Sequence, residues 1–410
     1  MLCCSKIKFI FSILFILCFF YLLIFYYTFF SNFEDDNFNI KIYYQPRKLY
    51  TKFESCTFET CFDLSKCKSK NLKLYVYPNN EQSQEPSLIY SKFLSILRKL
   101  PYTTTNASEA CLFILSIDTI DRDRISENYV KDIDAQISNL PKDIWNDGRN
   151  HLIFNFYHGT YPDYSDHNLG FNYSKAMIAR SSFSASKLRY NFDMSFPLFH
   201  PDHTFTKYEA MNEKLKMKRI EAQDKYFVSF KGKRYVYGIG SETRDSLHHL
   251  HNGQNIIMAT TCKHNNDWKK FEDSRCEKDN EMYDQYDYND LLRNSTFCLT
   301  PRGRRLASFR FLEALKAGCI PVILSDDWVL PFSEIINWDN GVVYTPENMT
   351  FLLINQLGEL TYGKVEEMKR FGQQVYWKYL SNYESIIETS INIIFERVRA
   401  LQNKFLNKLN

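Results

Sequence analysis

Several familiar signatures are missing from this 410-residue chain. It holds no GxSxG, Walker motif, GxGxxG or HExxH-like pair, so it offers no nucleophile elbow, P-loop, dinucleotide fingerprint or zincin helix. The paired CxxC or Cys/His spacings of a zinc site are absent too. Net charge is nearly absent: 51 Lys+Arg against 48 Asp+Glu leaves +3. That is too small a basic excess for a protein that coats nucleic acid. There is no internal repeat and no low-complexity segment. Hydrophobic residues at 44% and charged residues at 24% are ordinary globular values, which excludes a disordered or collagenous chain.

What is present begins with FIFSILFILCFFYLLIFYYTFF, an uncharged run from Phe9 to Phe30. At about 1.5 Å per residue it spans a hydrocarbon core of about 30 Å. It is too long for the apolar region of a cleaved signal peptide, and no small-residue cleavage site follows it. Lys6 and Lys8 precede the run and Glu34, Asp35 and Asp36 follow it. The positive side stays cytoplasmic, so the sequence predicts a single-pass type II membrane protein with everything after about residue 31 luminal or extracellular. Eight cysteines beyond the anchor (Cys56, Cys61, Cys67, Cys111, Cys262, Cys276, Cys298 and Cys319) read as four disulfides in such a compartment. Spacing alone leaves on the order of a hundred connectivities open. Sequons at Asn106, Asn172, Asn294 and Asn348 fit the same address as candidate glycosylation sites.

Short apolar runs such as Ala110–Leu115 and His151–Phe156 alternate with stretches of helical spacing, the pattern of parallel βαβ units. A charge-rich helical stretch over 207–225 interrupts it, and the pattern restarts at Tyr226. The expected organisation is a cytoplasmic tail over 1–8, an anchor over 9–30 and a stem over 31–55. A Rossmann-like domain follows over 56–206, then a linker over 207–225 and a second Rossmann-like domain over 226–345. C-terminal helices over 346–410 pack back on both.

Two clusters carry chemistry. In the first, strand Tyr226–Phe230 runs into Lys231-Gly232-Lys233-Arg234-Tyr235-Val236-Tyr237-Gly238-Ile239-Gly240, with Arg244 just beyond. Glycine lets backbone approach an anion, cations neutralise it, and a following helix adds its N-terminal partial charge, which together suit a diphosphate. The second, Pro301-Arg302-Gly303-Arg304-Arg305 through Leu315, also leaves a strand and opens a helix, with Ser308 expected as its N-cap. Arg310 and Glu313 share a face there, one suited to phosphate and the other to ribose hydroxyls. Asp121 and Asp123 form a DxD after a strand, the pattern by which many glycosyltransferases hold a metal–diphosphate. It is short enough to arise by chance.

The segments FKGKRYVYGIGSETRDSLHHLHNG, TTCKHNNDWKKFEDSRC, YDYNDLLRNSTFCLTPRGRRLASFRFLEALKAGCIPVIL and LPFSEIINW closely resemble the exostosin family, glycosyltransferase family 47. The likeness runs from about Cys56 to the C-terminus and includes LYVYP and NHLIFNFYHGTYPDY. It implies an α/β fold of the GT-B type, with two Rossmann-like domains facing a cleft. It implies a short form without the family 64 domain of full exostosins. The implied activity is inverting transfer of glucuronic acid from UDP-glucuronic acid to N-acetylglucosamine ends of growing heparan sulfate chains. The implied setting is the Golgi or endoplasmic reticulum membrane, beside a larger exostosin paralogue. Carried over residue by residue, the donor contacts fall on Tyr164, Lys231, Lys233, Tyr235, Arg244, His264, Tyr283, Tyr288, Arg310 and Glu313. Arg310 and Glu313 are the catalytic candidates, and no base is identified. The family's chemistry implies no cofactor and no metal. Its cysteine pattern gives Cys56–Cys61, Cys67–Cys111, Cys262–Cys276 and Cys298–Cys319. A non-catalytic stabilising subunit of the polymerase is the alternative, and a metal-dependent enzyme using Asp121 and Asp123 is a second.

Overall fold

The computed structural model describes residues 56–409 apart from 68–70, 80–83, 162, 165–167, 201, 218–223 and 265–267. The expected tail, anchor and stem lie outside the described residues. Among the described residues no helix is long and apolar enough to cross a membrane. All of them belong to one compact unit.

Two parallel sheets organise it. The first is built from β1 (Leu74–Val76), β2 (Thr103–Thr104), β3 (Leu112–Ile114), β4 (Leu152–Asn155), β5 (Met177–Arg180) and β6 (Met194–Ser195). The pairings β2-β1-β3 and β4-β5-β6 are joined by a parallel bridge from Phe113 to His151, whose neighbour Asn150 accepts from Phe113 N–H at 2.9 Å. Residues of β3, β4 and β5 are all buried, as expected of apolar strands covered on both faces. Helix α1 (Leu88–Lys99) starts where Ser87 Oγ accepts from Tyr90 N–H and buries Tyr90, Phe93, Leu94 and Leu97.

The charge-rich stretch forms α2 (Lys207–Met217), shorter than the expected linker; its last expected residues fall largely outside the described ones. The second sheet comprises β7 (Tyr226–Lys233), β8 (Ile256–Thr261), β9 (Ser295–Pro301), β10 (Ile320–Leu324) and β11 (Val343–Tyr344) in the order β11-β10-β9-β7-β8. After β7 comes α3 (Ser241–Asp245). The charged stretch before Asp290 folds into α4 (Cys276–Gln285) and α5 (Tyr288–Arg293). Helix α6 (Arg310–Ala317) follows β9 and ends at Gly318, whose φ of +81° needs no Cβ. Phe309 stands at its N-cap without a side-chain bond, so Ser308 is not the cap. The reason is local: the turn before α6 is already helical at Phe309, and Ser308 contributes its carbonyl to Phe311 N–H.

Four disulfides join Cys56–Cys61, Cys67–Cys111, Cys262–Cys276 and Cys298–Cys319. Helices α7 (Tyr362–Val375) and α8 (Tyr383–Leu409) close the chain. Helix α8 returns to the first sheet: Arg397 donates to the carbonyls of Phe192 (2.7 Å) and Asp193 (2.8 Å) and pairs with Glu334, while Gln402 donates to Cys67 O. The two sheets are further tied through Trp328, which bridges to Ser184 and whose indole N–H donates to Ser181 O.

Candidate functional site

Chain order runs β7, β8, β9, but β9 pairs with β7 on the side away from β8. The winding therefore reverses between β7 and β9, which makes the crevice outside their carboxyl ends the place where an open α/β sheet of this kind takes a ligand. The two cationic segments leave those two ends. They meet closely: a Cβ on Gly240 would stand 2.7 Å from Gly303 O.

Arg244 is buried at the centre. Its Nε donates to Arg302 O (2.9 Å) and its Nη1 to Lys233 O (2.8 Å), and its guanidinium lies 4.6 Å from the centre of the Tyr235 ring. Burial, and secondarily the charge of Arg310, push its pKa down to about 10, opposed by Tyr235. Arg310 is also buried; it donates through Nη2 to Lys231 O and lies 4.5 Å from the Phe230 ring centre. Its Nε has no hydrogen-bond partner. Lys231 Nζ sits 4.1 Å over the Tyr283 ring and donates to Tyr286 O. The Tyr288 hydroxyl donates to Glu313 Oε2, and burial raises the pKa of that hydroxyl. Lys233 is exposed at the crevice edge.

A second layer forms around Arg304. Its Nη2 donates to His264 Nε2 (3.0 Å), so that nitrogen accepts and the ring stacks edge-on at 5.0 Å against Tyr235. The Tyr164 ring, contributed by the first sheet's loops, lies 5.5 Å from Arg304 and 4.9 Å from Arg305. Among the described residues no carboxylate ion-pairs with Lys231, Lys233, Arg244, Arg304 or Arg310. Burying cations without counter-charge is costly, so the arrangement is suited to a polyanion that enters from outside.

Two of the charged sequence features are engaged in ion pairs. Arg234 turns from the crevice into a carboxylate cage, Asp279 at 2.8 Å and Asp273 at 2.7 Å. Asp123 pairs with Arg305 (2.8 Å) across the two sheets. Asp121 accepts from Ser126 Oγ and Asp123 N–H, and burial raises its pKa. Among the described residues no group of three or more His, Cys, Asp or Glu is placed to hold a metal.

Residues 40–358 match the family model described as the exostosin GT47 domain. The chain belongs to the exostosin family. It is similar to the Exostosin-1 homolog of Caenorhabditis elegans, 50% identical over 347 residues, which cover 84% of this chain and 90% of that protein. It is 44% identical over 347 residues to Exostosin-1 of Bos taurus, which cover 85% of this chain and 46% of the bovine one. The exostosin chain thus spans about half the length of its vertebrate relatives. Among solved structures, a glycosyltransferase from Rickettsia africae aligns over 80% of this chain and 98% of its own at 8% identity and a TM-score of 0.36, too low to carry an argument.

All ten expected donor residues of this exostosin lie in or beside the crevice, in two neighbouring groups: Lys231, Tyr283, Tyr288, Arg310 and Glu313 around α6, and Tyr164, Tyr235, Arg244 and His264 around Arg304, with Lys233 at the rim. The sequence pattern assigns Arg304 and Arg305 no individual roles. Their density in RGRR was the available signal, but their partners Tyr164, His264 and Asp123 are distant in sequence.

Proposed function

We propose that the exostosin chain is an inverting glucuronosyltransferase of heparan sulfate synthesis, anchored as a type II protein in the Golgi or endoplasmic reticulum membrane. UDP-glucuronic acid would bind in the crevice between β7 and β9, in a GT-B arrangement of the two sheets. The observation that supports this reading is the pair of buried, carboxylate-free guanidinium groups of Arg244 and Arg310 at the point where the winding reverses.

The chemistry follows from those residues. The acceptor 4-hydroxyl attacks the anomeric carbon from the face opposite UDP, and the glycosidic C–O bond to the diphosphate breaks. Negative charge grows on the leaving phosphate, and Arg310, Arg244 and Lys231, each held by a bond to a backbone carbonyl, would supply fixed positive charge there. They would supply the stabilisation that a divalent ion supplies elsewhere. Arg304, steadied by His264, suits a bidentate grip on the glucuronate carboxylate. Tyr283 or Tyr288 suits uracil stacking, and Glu313 suits ribose hydroxyls.

The test is incorporation of glucuronate from UDP-glucuronic acid into a heparosan oligosaccharide ending in N-acetylglucosamine, with and without a larger exostosin paralogue. Absence of incorporation under both conditions overturns the reading. Incorporation that needs the paralogue but survives loss of Arg310 in this chain favours the stabilising-subunit alternative.

A further inference from the structure

Single exposed apolar residues are ordinary on a protein surface; a local group of them is not. Such a group forms at and just after β11. Tyr344, Met349, Phe351 and Leu352 are all exposed, Phe351 at 64%. The stretch that carries them is fastened at several points. Glu347 accepts from Thr243 Oγ1 and Asp326 N–H, each at 2.8 Å. Thr350 Oγ1 donates to Ser246 Oγ at 3.1 Å. Gln356 donates to Tyr344 O at 2.9 Å, which holds the following helix (Leu353–Gly358) beside β11. A fixed backbone therefore presents these apolar side chains to solvent.

In the middle of the group stands Asn348-Met349-Thr350, a sequon. Its asparagine differs from those of the other sequons. Asn106 accepts from Ser108 N–H and Oγ, and Asn172 accepts from Ser174 N–H. Asn294 is half-buried, with its amide donating to Asp290 O. Asn348 is exposed, and among the described residues its side chain makes no hydrogen bond. Met349 N–H donates to Pro346 O and Leu352 N–H to Met349 O, each at 3.0 Å. Side chains three apart lie over one another in turns this tight, so Phe351 follows Asn348 and Leu352 follows Met349.

We propose that Asn348 carries an N-linked oligosaccharide whose first sugars lie over Met349 and Phe351, so that the chain covers its own apolar patch. The proposal rests on the type II reading above, which puts this loop in the lumen. The co-reactant is an oligosaccharide carried on a lipid diphosphate. Asn348 Nδ2 bonds to the anomeric carbon of the first sugar, and the bond from that carbon to the diphosphate breaks. The amide gives up one proton and the lipid diphosphate leaves. Thr350, the sequon's hydroxyl residue, is buried and its hydroxyl is engaged, so the transfer belongs to the chain before this loop folds. In the folded protein the modification breaks no hydrogen bond of Asn348. Pyranose C–H groups suit the negative face of the Phe351 ring, and the outward hydroxyls make the surface polar.

The experiment expresses the full chain in animal cells. Occupancy of each sequon is read by peptide mass mapping after enzymatic deglycosylation in heavy-oxygen water, and Asn348 should be occupied. Coverage is read by hydroxyl-radical footprinting, with Met211 on α2 as the internal reference. Met349 and Met211 are 42% and 40% exposed, so bare they should oxidise alike. In the glycosylated protein Met349 should oxidise severalfold more slowly than Met211. In N348Q, and in wild-type protein deglycosylated after folding, the two rates should converge; N172Q should keep them apart. Equal rates at Met349 and Met211 in protein occupied at Asn348 overturn the cover. An empty Asn348 beside another occupied sequon overturns the proposal and leaves the type II reading standing. No occupied sequon at all overturns both.

Discussion

At the scale of single residues, the site turns on whether a charge is already spent. Arg234 and Arg244 both lie close behind β7 and both are buried, but only Arg234 is neutralised by carboxylates. Arg310→Ala should lower glucuronosyl transfer about 10²–10³-fold, the loss seen when one preorganised donor to a developing anion is removed. Because Arg310 is itself buried and serves Lys231 O, the same change should also cost about 1 kcal/mol of stability. Arg310→Lys separates the two effects: charge stays, the fork geometry goes, and steady-state kinetics should still show most of the loss. Elsewhere, His151 and His203 are buried as neutral rings, each with its pKa depressed by burial to about 4. The unfolded chain binds a proton at each near pH 6.5 while the native protein resists until about pH 4, so stability falls as pH drops through that window. Each should cost about 2 kcal/mol at pH 5. Thermal unfolding from pH 7 to 5 checks this, and a flat melting temperature would count against the neutral assignment.

At the scale of elements, the end of β8 is held by a bridge as well as by pairing. Cys262–Cys276 ties it to α4, and Thr261 donates to Asn280 of that helix at 2.6 Å. Two residues on, His264 braces Arg304. Cys262→Ser should therefore weaken UDP binding by more than its stability loss explains, whereas Cys56→Ser, far from the crevice, should leave it unchanged; calorimetric titration distinguishes them. The apolar strands β3, β4, β9 and β10 were legible in sequence because both of their faces are buried almost throughout. Strands β5, β6 and β11 were not. Two are only two residues long, and β5 ends in Arg180, buried through contacts with Asn155 and Phe183 that no local pattern encodes. Helices α4 and α5 were hidden by charge: CEKDNEMYDQ has no apolar stripe, and its buried Asp279 pairs most closely with Arg234, 45 residues earlier. The cationic clusters were legible as clusters; which of their cations stay unpaired was not.

At the scale of the whole molecule, the Arg305–Asp123 pair spans the two sheets beside the crevice. Asp123→Asn should therefore reduce transfer by loosening that junction, with no change in the enzyme's response to metals. EDTA should leave wild-type activity intact. If EDTA abolishes transfer, Mn²⁺ restores it, and Asp123→Asn and Asp121→Asn both reproduce the loss, the DxD metal alternative wins.

The returning helix α8 bears on how the protein is made. Arg397 and Gln402 complete hydrogen bonds to Phe192, Asp193 and Cys67, partners translated long before them. At about 5–20 residues per second, the first sheet waits on the order of tens of seconds for the support of α8. During that interval Cys67 and Cys111 can meet, but the surface that α8 will cover stays bare. The early half of the chain thus keeps an uncovered face until α8 has been made.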